Sequence, residues 1–140
     1  INKIGSQARE LPRLMNEVFQ SDNQMLIFPA GLCSRKIDGK IQDIPWGKAF
    51  VTKSRETGRD IVPIYFEGRN SNRFYRVANW CKRLKLKFNF AMLLLPNEMV
   101  ISKGKTYKIK IGKPIPIESL DHSKSDYEWA QDIRQMVYEL

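Results

Sequence analysis

A chain of 140 residues in which 42% are hydrophobic and 28% are charged has the size and composition of one globular domain, which excludes a disordered or fibrous protein. Its formal charge of +9 predicts an anionic partner, such as nucleic acid, a membrane surface or a phosphorylated or acidic molecule. Cys33 and Cys81 form no Cys-x-x-Cys pair, so we expect a reducing compartment, with neither a disulfide framework nor a metal site.

The first predicted element is a helix from Ser6 to Gln20, which the polar sequence from Ser21 to Asn23 ends. Its apolar residues recur at helical spacing, and we expect four of them to be buried: Leu11, Leu14, Met15 and Val18.

Two continuous apolar runs follow, Met25 to Phe28 and Ile61 to Phe66. Such runs are typical of strands buried on both faces of a parallel sheet. Between them, Pro45 to Arg55 predicts a helix that Gly58 closes, and we expect Arg55 to be solvated. Strand, helix and strand in this order predict a right-handed βαβ crossover.

The second half of the chain predicts a helix from Asn72 to Leu86 with an apolar stripe of Phe74, Val77, Ala78, Cys81 and Leu84. The stretch from Phe88 to Met99 is ambiguous, with a break expected at Pro96. Thr106 to Ile111 alternates between apolar and polar residues, which predicts an edge strand with Tyr107, Ile109 and Ile111 on one face.

Ser125 and Glu128 have the spacing of a capping box and predict a last helix that continues to Leu140. Its expected apolar face consists of Tyr127, Ala130, Ile133, Val137 and Leu140. The predicted fold class is therefore α/β, with a mostly parallel or mixed sheet flanked by helices. Because the chain begins with Ile1 rather than Met and nothing in the sequence ends this last helix, we expect residues 1–140 to form one domain that is part of a larger one, incomplete at its N-terminus.

Both predicted parallel strands are followed by residues suited to binding an anion, and ligands gather at the carboxyl ends of such strands. After the first strand, Gly31 can expose main-chain N–H groups, Ser34 can donate a hydrogen bond, Arg35 offers a planar fork and Lys36 a charge. After the second strand come Gly68, Arg69, Asn70 and Ser71. These residues predict one shared anion site, with Trp46 and Lys48 as further candidates for lining the cleft. The alternative is that both segments are ordinary surface turns.

Other candidate sites have less support. His122 and Asp126 are a conceivable base and orienting carboxylate, but the polar stretch around them favours an exposed histidine without a special role. Arg73, Tyr75, Arg76 and Trp80 mix cations with aromatic rings as membrane-surface helices do, although a solvated helix with an ordinary core stripe explains them as well.

The sequence FPAGLCSR at residues 28–35 resembles the third block of the glycerolipid (lysophospholipid) acyltransferase superfamily, usually written F-P-E-G-T-R-S-R. Five residues match: Phe28, Pro29, Gly31, Ser34 and Arg35. Ala30, Leu32 and Cys33 differ, and Ala30 in place of Glu is similar to the hemolysin-related, ornithine-lipid-type bacterial branch. VPIYFEG, with its Pro63, is similar to the fourth block, and YKIKIGKPIPI to the closing strand and turn.

This resemblance implies an α/β sheet flanked by helices and the transfer of a fatty acyl group to a lipid hydroxyl. The donor would be acyl carrier protein or acyl-coenzyme A as co-substrate, with no other cofactor. The acceptor would be a lysophospholipid or related lipid, whose anionic group Arg35 would hold. The surplus of cations suits an acidic carrier and the cytoplasmic, inner face of an anionic membrane, where we expect a peripheral enzyme.

Catalysis in this superfamily uses a His-x-x-x-x-Asp motif, in which the histidine deprotonates the acceptor hydroxyl. The chain has no such motif: Asp126 is one position too near to His122, and both follow the third block. We therefore expect a C-terminal portion of an acyltransferase domain with acceptor-binding residues and no catalytic residue. The alternative is a non-enzymatic basic module that binds nucleic acid or another polyanion, although no recognisable nucleic-acid-binding motif is present.

Overall fold

The computed structural model describes residues 10–140, with the backbone alone for Leu11. Helices and strands both occur there, which confirms the α/β class. The helices are α1 (Leu11–Gln20), α2 (Ala49–Thr57), α3 (Asn72–Arg83), α4 (Leu95–Ile101) and α5 (Asp126–Glu139). The strands are β1 (Arg35–Ile37), β2 (Lys40–Gln42), β3 (Ile64–Glu67) and β4 (Lys108–Ile111), and short 3-10 turns cover Phe90–Leu94 and Ile117–Ser119. The predicted helix start at Ser6 lies outside the described residues.

Directly after the candidate Arg35, β1 and β2 form an antiparallel hairpin that the sequence analysis did not predict. Asp38 and Gly39 connect the strands with positive φ angles of 48° and 81°. A type I′ hairpin turn needs positive φ at both central positions, and Asp-Gly is a favoured pair there. The hairpin fixes the direction in which the chain leaves the candidate site.

The second sheet pairs β3 with β4, antiparallel, so that Ile64 lies opposite Ile111 and Phe66 opposite Ile109. The predicted strand at 106–111 is thus confirmed in position. Tyr65 packs against the core between α2 and α5, whereas Ile64, Phe66, Ile109 and Ile111 are exposed on the other face. The expectation that the 61–66 strand is buried on both faces is therefore wrong for the described residues.

The predicted parallel pairing of Met25–Phe28 with the 61–66 strand is not found within residues 10–140, where both sheets are antiparallel. Met25–Phe28 forms no strand, and Leu26 and Phe28 are 70% and 77% exposed. An apolar run indicates that a segment needs burial, but not which segment pairs with it. No described segment provides that partner.

The main core lies between α2 and α5. It contains Trp46, Phe50, Val51, Ile117, Leu120, Ala130, Ile133 and Val137. Gly58 ends α2 with φ 66°, as predicted. Arg55 is not solvated as expected: its guanidinium forms an ion pair with Asp126 at 2.8 Å and donates to the Leu120 carbonyl at 3.0 Å. Arg55 therefore joins α2 to the start of α5.

The capping box that begins α5 is confirmed. The Ser125 hydroxyl accepts from the Glu128 amide at 3.3 Å, and the Glu128 carboxylate accepts from the Ser125 amide at 2.8 Å. The hydrogen bonds from Ser125 hold the pKa of Glu128 below its usual value. Ala130, Ile133 and Val137 are buried as predicted, while Tyr127 and Leu140 remain largely exposed.

A second cluster surrounds α3 and consists of Phe74, Tyr75, Ala78 and Ala91. The predicted helix from Asn72 is confirmed, but it ends at Arg83 and leaves Leu84 exposed. Pro96 does not break the following segment; it lies in the first turn of α4, where its missing N–H costs no helical hydrogen bond.

The expected buried side of α1 is also wrong. Leu14, Met15 and Val18 are exposed, and Phe19 is the buried residue among the described side chains of this helix. The side chain of Leu11, also predicted to be buried, lies outside the described residues. Among the described elements, α1 packs chiefly on α2, so the predicted apolar stripe has no partner to cover it.

Candidate functional site

The two segments predicted to share a site meet at the hydroxyl group of Tyr75. Ser34 Oγ lies 3.3 Å from Tyr75 Oη, and the Asn70 amide donates to the same oxygen at 3.0 Å. Tyr75 is 1% exposed, so this hydroxyl is a fixed junction between the two loops. This role of Tyr75 was not predicted from the sequence. A signal existed, because a tyrosine next to Phe74 on a buried helix face needs a partner for its hydroxyl.

Arg35 begins β1 and is held against its own loop. Its Nη1 atom donates to the carbonyl of Cys33 at 2.6 Å and to that of Ser34 at 3.2 Å. The guanidinium carbon lies 5.9 Å from the centre of the Phe74 ring. Because a guanidinium carries five N–H donors, Nε and Nη2 keep donors with which Arg35 can bind an anion.

The sharp turn before Arg35 contains Gly31. Gly31 has φ 63°, a left-handed conformation in which a side chain would be strained. Its N–H donates to the Phe28 carbonyl at 3.0 Å. This amide therefore closes the turn of the chain instead of facing a ligand.

Trp46 and Lys48 do not join the Tyr75 junction. Trp46 is buried in the core between α2 and α5, where its indole N–H donates to Asp43 Oδ2 at 3.1 Å. Lys48 is exposed at the position that precedes the first residue of α2. The structure thus gives Trp46 a packing role and places neither residue in the wall of the cavities described below.

The second loop, residues 68–71, has its own internal structure. A Cβ atom on Gly68 would lie 2.1 Å from a ring carbon of Phe66, so any side chain there would displace this ring. Exposed Arg69 donates to Asn72 Oδ1 at 2.5 Å. The main-chain N–H of Asn70 donates to the Tyr75 hydroxyl. This hydrogen bond and the one from Arg69 to Asn72 hold the loop against the first turn of α3.

Ser71 caps α3, because its hydroxyl accepts from the Phe74 amide at 3.2 Å. The Glu98 carboxylate of α4 accepts from the Ser71 amide at 2.6 Å and from the Ser71 hydroxyl at 2.5 Å. Glu98 is buried. The anion at the N-terminus of α3 is therefore supplied by the chain itself, and Ser71 has a structural partner there.

Replacing Glu98 by alanine should destabilise the protein, because the Ser71 amide and hydroxyl would lose their buried acceptor. Hydrogen bonds to a charged group contribute about 1.5–3 kcal/mol, and we expect a loss of that size in the free energy of unfolding, measured by urea titration with circular dichroism. Glu17→Ala is the control, since the ion pair of Glu17 with Arg13 is exposed and should contribute about 0–1 kcal/mol. Equal effects of the two substitutions would contradict this role of Glu98.

A cavity of about 360 Å³ lies between β1 and α3, and we call it the β1–α3 cavity. Its walls are formed by Lys36, Asn72, Tyr75, Arg76 and Asn79. Asn79 also donates to the Lys36 carbonyl at 3.0 Å, which joins the hairpin to the helix. Two cations, amide groups and no carboxylate line this cavity, so it suits an anionic group. Neither Asn72 nor Asn79 was predicted from the sequence.

A larger groove of about 660 Å³ continues from Lys36 and Asn79 along the C-terminal half of α3, and we call it the basic groove. Its lining combines cations with apolar side chains, among them Leu32, Arg35, Ile37, Lys82, Arg83 and Leu86. Such a lining is chemically suited to a molecule with an anionic group and a hydrocarbon chain.

His122 has no geometry that suits a general base. It is exposed in the segment before α5. Asp126, its conceivable partner, instead accepts from the Thr52 hydroxyl at 2.6 Å and pairs with Arg55 at 2.8 Å. Within residues 10–140, no cluster of His, Cys, Asp or Glu could hold a metal ion.

Comparison with known proteins identifies a family and two relatives that this chain resembles. The sequence model of a family described as "Acyltransferase" matches residues 1–140. The chain is 53% identical over 140 residues to a protein of Phocaeicola vulgatus named "Lyso-glycine lipid O-acyltransferase", in an alignment that covers 100% of this chain and 50% of the relative. A protein of Bacteroides thetaiotaomicron with the same name is 49% identical over 140 residues, covering 100% of this chain and 52% of the relative.

The chain thus spans about half the length of the curated relatives it matches. No solved structure is a significant match. The resemblance of FPAGLCSR to lipid acyltransferases is confirmed by the family match and by the names of both relatives. Because the family match extends over all 140 residues, this chain belongs to the acyltransferase family.

Proposed function

We propose that the protein containing this chain transfers a fatty acyl group to the hydroxyl of an anionic lysolipid, and that this chain binds the acceptor. The observation that carries the proposal is the junction at Tyr75, which brings the Arg35 loop and the 68–71 loop together in a member of the acyltransferase family. The β1–α3 cavity next to this junction offers Lys36 and Arg76 to an anion. Family membership favours this function over a non-enzymatic module that binds nucleic acid.

The relatives' name suggests a lyso-glycine lipid as the acceptor. A glycine unit attached to a lipid through its nitrogen keeps a free carboxylate, which the planar fork of Arg35 can bind with two parallel hydrogen bonds. A phosphate is the alternative anion, since the same fork also matches two phosphate oxygens. The acyl donor in this proposal is an acyl carrier protein or a coenzyme A thioester, which the cations of the basic groove favour.

The full-length protein should discriminate between these two acceptors. With acyl donor in excess, we expect faster ester formation on a lyso-glycine lipid than on lysophosphatidic acid, because both relatives are named for a lyso-glycine lipid. The product is measured by mass spectrometry of the extracted lipids. If only lysophosphatidic acid were acylated, the acyltransferase function would be supported and the glycine-lipid acceptor rejected. If neither acceptor were acylated, the proposed function would be rejected.

We also propose that residues 1–140 are a C-terminal portion of a larger acyltransferase domain. The chain spans half of its relatives, and the apolar face of Ile64, Phe66, Ile109 and Ile111 is exposed in the described structure. A further layer of the larger domain would cover this exposed face of the sheet. In the complete domain, the sheets would also contain more strands than the two-stranded sheets described here.

The catalytic base is accordingly expected in the remaining part of the protein. We predict a His-x-x-x-x-Asp motif upstream of Ile1, because acyl transfer to a hydroxyl needs a base and His122 does not have the surroundings of one. Sequencing the gene checks this directly. A gene without such a motif upstream would reject this assignment of the catalytic residues.

A further inference from the structure

The segment from Trp80 to Ile101 exposes an unusual number of large apolar side chains, and we call it the 80–101 surface. Met99 and Val100 on α4 are 80% and 72% exposed, and Leu93 in the preceding 3-10 turn is 65% exposed. Trp80 and Phe90 are also largely exposed. Apolar exposure concentrated in one segment in this way is typical of an interaction site in a folded protein.

Packing keeps these residues in one region. Val77 of α3, Leu94 and Leu95 pack together against the cluster around α3, which contains Phe74, Ala78 and Ala91. Trp80 follows Val77 by three positions and therefore lies on the same side of α3. The Phe88 and Phe90 rings are 5.1 Å apart in an edge-to-face contact, which continues the apolar region from α3 towards α4.

The charges around this surface have one sign. Lys82, Arg83, Lys85 and Lys87 are exposed between Trp80 and Phe88, and Lys103 and Lys105 are exposed after α4. The only acidic residue from position 80 to position 105 is Glu98. Its carboxylate is buried and bound to Ser71, so it contributes little negative charge to the exterior.

We propose that the 80–101 surface docks on an anionic lipid bilayer, with its apolar side chains in the interface and its cations at the lipid headgroups. None of the helices within residues 10–140 has the length and apolar character to cross a membrane, which fits docking in the plane of the interface. The basic groove runs from this surface, at Leu86 and Lys87, to Arg35. The acceptor lipid then reaches Arg35 along the groove without leaving the bilayer, a step that rests on the proposed acyltransferase function.

The other possible occupants of the surface are less well matched. A second copy of the chain would bring six further cations against these six, and like charges directly opposed destabilise an interface. An acidic carrier protein satisfies the cations but offers no reason for Met99 and Val100 to be exposed. An anionic bilayer satisfies both the charges and the apolar side chains.

The test is sedimentation of the full-length protein with vesicles of phosphatidylcholine alone or mixed with phosphatidylglycerol. We expect binding to the mixed vesicles, and at least a tenfold weaker binding for Met99→Asp/Val100→Asp. Lys103→Gln/Lys105→Gln, a pair outside the basic groove, should also weaken binding by roughly tenfold or more, since each cation near an anionic surface strengthens binding about fivefold. Lys40→Gln/Lys113→Gln removes the same charge at exposed positions outside the surface and should bind like the unmodified protein.

Acylation of a short-chain, water-soluble acceptor separates this proposal from the proposed function, because the docking variants should retain it. Equal vesicle binding by all variants would overturn the docking proposal. It would also be overturned if the docking variants lost self-association or binding to a carrier protein while their vesicle binding stayed unchanged. If the aspartate variant fails to fold by circular dichroism, the lysine pair, which is fully on the exterior, decides the outcome. If the protein bound vesicles through this surface but acylated no acceptor, the docking proposal would be supported and the proposed enzymatic function rejected.

Discussion

Acyl transfer by the isolated 140-residue chain is expected to be undetectable in an ordinary assay, even with saturating acceptor and donor. Arg35 is the residue proposed to bind the acceptor. Within residues 10–140, the carboxylate that contacts the 68–71 loop, Glu98, is buried and already accepts from Ser71, so it is not available to deprotonate the acceptor hydroxyl. General-base assistance contributes about 10²–10⁴ to the rate of such reactions, so its loss alone should hide turnover. His122 does not replace it, because Asp126, which would have to orient the imidazole, is bound to Thr52 and Arg55.

The measurement compares the isolated chain with the full-length protein at equal molar concentration, following a labelled acyl group into the lipid fraction. His122→Ala in the full-length protein is the matched control, and we expect its kcat/KM to equal that of the unmodified enzyme. Turnover by the isolated chain would show that a base is present within these residues. A hundredfold loss in His122→Ala would identify His122 as that base.

In the full-length enzyme, Arg35→Ala should lower kcat/KM for the acceptor roughly 10- to 100-fold, which corresponds to the about 1.5–3 kcal/mol of a charge-assisted hydrogen bond. Arg35→Lys should recover only part of this loss, because lysine keeps the charge without the planar fork. The assay varies the acceptor at saturating donor. The free energy of unfolding is measured in parallel, since Arg35 also donates to the carbonyls of Cys33 and Ser34.

Arg13→Ala is the appropriate arginine control, because Arg13 is exposed and contacts Glu17 in an ion pair of 3.1 Å. Arg55, which the sequence suggested as a solvated residue, is unsuitable, since it joins α2 to α5 through Asp126 and the Leu120 carbonyl. Small and equal effects of Arg35→Ala and Arg13→Ala would mean that residues 28–36 are an ordinary surface turn. The same conclusion would follow if the loss in the free energy of unfolding of Arg35→Ala accounted for its whole decrease in kcat/KM.

The candidate site was only partly predictable. Ser34, Arg35 and the 68–71 loop could be found from the sequence because glycine, serine and arginine directly follow apolar runs. Tyr75 could not be placed with them, since its contact with Ser34 joins residues 41 positions apart. Ser71 was predicted to bind a ligand, but Glu98, 27 positions later, is its partner. The sequence shows which residues could donate hydrogen bonds to a ligand. Only the fold shows which of these donors are already bound to an acceptor within the protein.

Local interactions explain what the sequence by itself determined about this protein. The capping box of Ser125 and Glu128 and the left-handed Gly58 at the end of α2 depend on residues within about one helical turn. The helical spacing of Ala130, Ile133 and Val137 likewise identified the apolar face of α5. The Asp38–Gly39 turn is equally local, since an Asp-Gly pair is itself a hairpin signal, although the hairpin was not predicted. The family itself also followed from a short segment, residues 28–35.

Only the tertiary structure decided how the strands pair and what lies against them. Ile64 could have paired in a parallel or an antiparallel sheet, since an apolar strand buries its side chains in either, and β4 became its antiparallel partner. Trp46 was suited to a cleft or a core, and the packing of α2 on α5 buried it. Hydrophobic burial is non-directional, so sequence indicates that such residues need partners, and the three-dimensional path of the chain determines which partners they meet.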